Sequence, residues 1–261
     1  MTDALLGALA RISRADEHLA SLNQAMDEWV DHLTSQTSSE ANPDRTEFKI
    51  FAGLSTVPDV VRWALLIGDC VHNLRSALDH AVYECSGPTP PFNCEFPIFL
   101  DRTALDRPER DKGSYLFKIR GITNENVRSI IEAAQPFSRG DGPEHPLWVL
   151  HQLDIQDKHR LLTPVASVPL NAETEGTVSW PDEGEHQVEM SAPIWIPFSD
   201  RMEVLTVRTI QPAEKVQVGA TFTYSINLLV EDTPRSVQKT LLGLSTYTQG
   251  VVEAIRDAVD N

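Results

Sequence analysis

The chain has 261 residues, 41% of them hydrophobic, and a formal net charge of −16. That length supports a sizeable core, as one large domain or two small ones, and that apolar content excludes wholesale disorder. The acidity excludes broad, nonspecific nucleic-acid binding, which needs a basic surface, but leaves room for a small basic pocket. No apolar run approaches the roughly 20 residues of a membrane span, so no membrane partner is expected. Met1-Thr2-Asp3-Ala4 lacks a basic n-region and reads as no signal peptide. Cys70, Cys85 and Cys94 are odd in number and lack metal-type spacing. They point to a reducing, cytoplasmic setting, with Cys70 and Cys85 as small core residues.

Residues 3–34 predict one long amphipathic helix, with Leu5, Leu9, Ile12, Ala15, Leu19, Leu22, Met26, Trp29 and Leu33 at spacings of three and four. Such a seam needs a long partner, either another helix of this chain or a second copy. His18 and His32 beside it read as surface or packing residues. Residues 34–45 are polar and read as a loop. Glu47 to Leu54 alternates as a short strand. Pro58 opens a second long helix that ends near Cys85, before Ser86-Gly87-Pro88. The apolar run Phe96-Pro97-Ile98-Phe99 follows, then a charged loop over 101–114. Thr123 is placed to cap a helix through Ala134, and Ser138 to Pro143 reads as an irregular turn. Pro146 opens a helix from Leu147 to about Leu161. From Leu162 to Glu231 short β-type runs predict an antiparallel sheet or small sandwich. They are Leu162–Val168, Gly176–Trp180, His186–Met190, Ile194–Ile196, Met202–Ile210 and Lys215–Val230, the last with room for a hairpin. His186 reads as exposed. Residues 233–259 return to helix on a stripe of Val237, Leu241, Leu244, Val251, Ile255 and Val259.

The expected architecture is therefore α+β. A bundle of long helices carries an antiparallel β-sheet between the fourth helix and the C-terminal helix. The division is residues 1–161 as a helical bundle, 162–231 as the β region, and 232–261 as a helix packing back on the bundle.

Residues 69–83 carry the chemistry. At about 100° per residue, Val71, Leu74, Ala77, Leu78, Ala81 and Val82 fall on one face. Asp69, His72, Asn73, Arg75, Ser76, Asp79 and His80 share the other. These are short groups, or groups able to do acid–base and anion chemistry, where a solvated face would carry Lys and Glu. A second polar cluster lies on the helix after Pro146. His151, Asp154 and Lys158 fall within about 60° of one another, and Asp157, His159 and Arg160 crowd its end. Lys158, His159 and Arg160 suit either helix termination against the macrodipole or an anion-binding corner. Leaving either cluster half-satisfied is costly, so the two are expected to meet.

A metal alternative draws on Asp69, His72, Asp79, His80, His151, Asp154, Asp157 and His159. No His-Glu-x-x-His or Glu-x-x-His pair is present, and no cofactor is expected. No Gly-rich phosphate loop and no Gly-x-Ser-x-Gly elbow occur.

Arg75-Ser-Ala-Leu-Asp-His80 is an Arg-x4-His motif on a helix of a helical bundle, with polar Ser76 after the arginine. Over residues 58–86 this resembles the HEPN superfamily. Arg139 and His145 supply a looser version in a Gly/Pro loop. Members of that family are largely metal-independent ribonucleases or nucleotide-binding relatives, often in toxin or defence systems, with the motif at a dimer interface. The resemblance implies a homodimer, an RNA substrate and a regulatory protein partner. It also implies cleavage by internal attack of the 2′-hydroxyl. His80 would move the proton and Arg75 would stabilise phosphate charge. His72, Asn73 and Asp79 would support them, with Lys158, His159 and Arg160 as the phosphate-binding edge. Here the motif lies in the second long helix rather than near the end of a compact helical domain. The alternatives are a structural Arg75–Asp79 pair at i, i+4 with a hydrogen-bonded His80, and a non-catalytic binding protein whose polar helix face is structural.

Overall fold

The computed structural model describes residues 5–33, 35–88, 90–167, 175–181, 186–219 and 225–260. The fold is α+β with antiparallel sheets, as expected. Its residues divide into two compact units, Met1–Asn23, Ala64–Leu162 and Gln238–Asn261 in one, and Gln24–Trp63 and Thr163–Val237 in the other. Among the described residues, no helix is long and apolar enough to cross a membrane.

The first unit is helical. It takes in much of α1 (Leu6–Asp31) and α2 (Val60–Cys85), with α4 (Glu125–Ala133), α6 (Pro146–Asp157) and nearly all of α7 (Val237–Asp260). Two single-turn helices, α3 (Tyr115–Lys118) and α5 (Pro136–Arg139), lie between. The apolar face read on α2 is wholly buried, from Val71 through Val82. On α1, Leu5, Ile12, Ala15, Leu19 and Leu22 are buried as the seam predicts, and Leu9 is partly covered. Within this unit these seam residues are covered by the chain itself. α1 runs antiparallel to α2. A Cβ on Gly7 would lie 2.6 Å from Glu84 Oε1 and 3.2 Å from His80 Nδ1, while His18 Nδ1 sits 3.9 Å from Asp69. Ser245 Oγ on α7 donates to Asp16 of α1 at 2.6 Å.

The helix ends correct the sequence reading by a residue or more. α2 begins at Val60, because Asp59 accepts from the Arg62 amide at 3.0 Å and acts as the cap, leaving Pro58 outside. α4 is capped by Asn124, not Thr123. The Asn124 carboxamide oxygen accepts from the Asn126 and Val127 amides, and its nitrogen donates to Ala258 O on α7 at 3.1 Å. α6 stops at Asp157 rather than Leu161. The turn over 138–143 contains the last turn of α5, closed by Gly140 at φ +78°.

The second unit is mostly β and begins earlier in the chain than the expected 162–231. Residues 34–45, read as a loop, contain β1 (Ser35–Ala41), an edge strand paired antiparallel with β2 (Glu47–Leu54). Strand pairing is backbone hydrogen bonding, so a polar segment can join a sheet at its solvent edge. Asn42 makes the turn, its side-chain oxygen accepting from the Thr46 and Glu47 amides. β2 pairs with β7 (Arg201–Thr209), and β7 with β5 (Val188–Ser191), giving the order β1-β2-β7-β5. A second sheet is ordered β10-β9-β3-β6, from β3 (Val165–Ser167), β6 (Ile196–Pro197), β9 (Ser225–Val230) and β10 (Thr233–Ser236). β4 (Glu175–Ser179) pairs with β8 (Lys215–Gly219) alone. The run Lys215–Val230 is thus two strands in different sheets. Residues 233–236, read as the start of the last helix, form a hairpin arm instead. Glu231 and Asp232 both take positive φ at that turn, and β10 pairs residue for residue with β9.

Trp29, Trp63 and Phe198 form an edge-to-face trio with centroids 5.5–6.0 Å apart, and Trp29 Nε1 donates to Thr56 O at 2.8 Å. Trp63 is 2% exposed. Trp63→Ala should lower the unfolding free energy by about 3–5 kcal/mol, read from urea melts, since it removes a buried ring that contacts both other members of the trio.

Candidate functional site

The polar face of α2 does not point in one direction. Asn73 is buried and spends its Nδ2 on Asp69 O at 2.7 Å, one turn back. Asp69 and His72 are exposed. Arg75 and Asp79 pair at 2.9 Å, and together they hold one residue of the segment that follows the helix. The Phe96 amide donates to Asp79 Oδ1 at 2.9 Å, and Arg75 Nη2 donates to Phe96 O at 2.9 Å. The ion pair thus replaces the strand partner that Phe96, fully buried, does not have. His80, one residue on, is turned toward α1 at Gly7 and stands 3.9 Å from Glu84 Oε1.

The second cluster comes to the first. α6 reaches α2 at Gly68, where a Cβ would lie 2.5 Å from Asp157 Oδ1, so only glycine admits the Asp157 carboxylate. Burial pushes Asp157 upward, reinforced by Asp154 and Asp69 and opposed by His72. Asp154 is buried and accepts from Lys158 Nζ at 2.6 Å. Burial raises Asp79 as well. Arg75 and the Phe96 amide pull it back, Glu95 and Asp154 push it up, and the net shift is upward. Burial and the Arg75 charge hold His151 down. Glu95 would rise on burial alone, but its hydrogen bond and ion pair with Lys118 outweigh that and leave it low.

Arg75, Asp79, Glu95, Lys118, His151, Asp154 and Lys158 therefore form one network of balanced sign. The sequence reading brought together five of these and missed Glu95 and Lys118, which lie in segments without periodicity. Arg75 Nη1 is buried and has no hydrogen-bond partner among the described residues. His159 and Arg160 are exposed beyond the end of α6. Among the described residues, no three His, Cys, Asp or Glu side chains come together as a metal-holding group. Burial pushes the Cys70 thiol up to about 12 and the Cys85 thiol up to about 11, which keeps both protonated. Asp79, His80, Tyr83 and Cys94 line an open pocket of about 300 Å³.

In the looser pair, Arg139 and His145, the histidine has a structural task that spacing did not reveal. His145 is fully buried and caps α6, its Nδ1 accepting from the Leu147 amide at 3.2 Å. An accepting Nδ1 places the ring proton on Nε2. Nε2 then donates to Tyr247 Oη at 3.2 Å, and the Tyr247 hydroxyl donates to Ala134 O at 3.0 Å. Every polar atom of the chain His145–Tyr247–Ala134 is used, and the histidine must be neutral to use them.

Two predictions follow from these geometries. Arg75→Ala and Asp79→Ala should each destabilise by about 2–3 kcal/mol, because each strands a backbone group of buried Phe96 as well as a charge. A double-mutant cycle read by urea unfolding should show coupling of the same sign. The second is a pH dependence. Burial holds His145 and His151 below the ordinary 6.5, with Arg139 adding to this at His145 against Asp141. A depressed histidine gives stability that is complete above 6.5 and is lost as pH falls toward the folded value. Unfolding free energy should thus fall as pH drops from 6.5, and His145→Asn, which can cap but not titrate, should flatten that slope.

Compared with protein-family models, with curated proteins and with solved structures, the chain matches none.

Proposed function

We propose that this chain is a non-catalytic binding protein in which the Arg75–His80 face of α2 is structural. One observation carries the reading. The two side chains that a phosphodiester would need convergent are held apart: Arg75 is bound with Asp79 to the Phe96 backbone, and His80 is turned toward Gly7, 3.9 Å from Glu84 Oε1. The net charge of −16 points the same way, since it repels RNA. The covered α1 seam removes one reason to expect a homodimer.

A second reading, a metal-independent endoribonuclease of the HEPN type, draws on a different observation. His80 keeps 41% of its side-chain surface exposed and shares an open pocket with Asp79, and among the described residues Arg75 Nη1 has no hydrogen-bond partner. In that reading His80 takes the 2′-hydroxyl proton and Arg75 swings off Phe96 O to meet the phosphate. Lys158, His159 and Arg160 hold the flanking backbone.

Incubation of the protein with single-stranded RNA in EDTA, beside Arg75→Ala and His80→Ala, separates the two. The binding-protein reading expects no cleavage by any of the three. It also expects a stability loss in Arg75→Ala and a change of under about 1 kcal/mol in His80→Ala, a partly exposed side chain. Cleavage that survives EDTA and disappears in both variants would replace this reading with the nuclease.

A further inference from the structure

A second cavity, of about 390 Å³ and open to solvent at exposed Ala133, Arg139 and Gly250, lies in the helical unit between α4 and α7. It owes its existence to small residues. α4 and α7 run antiparallel, tied at one end by Asn124 to Ala258 O and at the other by Tyr247 to Ala134 O. Between the ties, Ala133, Gly250 and Ala254 line the space with Ile130 and Val251. A Cβ at Gly250 would meet nothing within 4 Å. The volume is within the range of small-molecule sites, which are apolar with a few placed polar groups.

The polar group here is Arg139. Its guanidinium carbon sits 5.5 Å from the Tyr247 ring centroid, and the ring is held in place because the hydroxyl is bonded to both Ala134 O and His145. Among the described residues Arg139 has no hydrogen bond and no ion pair, although Asp141 is near enough for its charge to reach Tyr247. A cation at the edge of an apolar cavity, with its donors unengaged, selects a ligand with an anionic head and an apolar body. The planar fork of arginine can hold a carboxylate through two parallel hydrogen bonds.

We propose that the α4–α7 cavity binds a small amphipathic carboxylate, its apolar chain against Ala133, Gly250, Val251 and Ala254 and its head on Arg139. The site is separate from the α2 face, so the RNA experiment can go either way without touching it.

Calorimetric titration with octanoate tests this, with 1-octanol and octylammonium as neutral and cationic controls. Octanoate should bind, more weakly as salt rises, and the controls should bind at least tenfold more weakly. Arg139→Gln should weaken octanoate about tenfold or more. Gly250→Leu should abolish binding by filling the cavity. Leucine is the better helix former and meets no neighbour at its Cβ, so its melting temperature should be unchanged or higher, which separates a blocked site from an unfolded one. Three results would each overturn the proposal: no octanoate binding at millimolar concentration, equal binding of all three probes, or binding that survives Gly250→Leu. A wild-type dimer turned to monomer by Gly250→Leu would also overturn it, marking the cavity as an interface between copies.

Discussion

Backbone amides and carbonyls that leave water must find partners, and an irregular segment buried among helices has no neighbouring strand to supply them. Residues 94–99 are such a segment. Phe96 and Ile98 are buried, yet the segment belongs to no helix or sheet. Side chains take the place of a strand. Asp79 and Arg75 serve the amide and carbonyl of Phe96. Buried Gln135 donates to Pro97 O at 2.8 Å and accepts from the Phe99 amide at 3.2 Å. Lys118 O accepts from the Glu95 amide at 3.2 Å. Arg75 and Asp79, which look like part of a reaction centre in the sequence, are committed to this task, and the Asp154–Lys158 pair adds no net charge beside them.

That commitment has an electrostatic consequence. A partly buried ion pair beside apolar segments is less costly when its neighbours balance its charge. The network answers with alternating signs, from Arg75 and Asp79 to Glu95 with Lys118 and Asp154 with Lys158. His151 is held toward its neutral form, so it adds no third charge between Arg75 and Asp154. Similar logic governs His145, where capping of α6 and the bond to Tyr247 both require the neutral ring. In both places a histidine that invites a catalytic reading serves as a neutral hydrogen-bonding or packing group.

Two glycines face carboxylates of neighbouring helices. Gly68 admits Asp157 of α6 and Gly7 admits Glu84 of α2, each at a distance a Cβ would occupy. Gly250 differs, since it is exposed and faces the open groove between α4 and α7 rather than a packed side chain. Nothing in the local sequence around these glycines separates the two cases. The distinction depends on what the facing helix carries.

Periodicity made the long elements legible. The buried face of α2 from Val71 to Val82, the α1 seam and the strand Glu47–Leu54 follow from spacing alone, because a long amphipathic repeat can bury its apolar side in only one local conformation. Elements whose reason lies elsewhere in the chain were not legible. β1 is a strand because β2 lies beside it, although Ser35–Ala41 is polar. β10 exists because a turn at Glu231 and Asp232 folds it onto β9. The candidate site divides in the same way. Spacing by four residues on one helix made the Arg75–Asp79 pair visible. That both groups are turned on Phe96, that Glu95 and Lys118 join them, and that His80 faces the other way were decided by packing. Sequence determines which groups share a helix face. Which of them remain free for a ligand is decided by the buried backbone they must satisfy, and that is known only once the chain has closed around it.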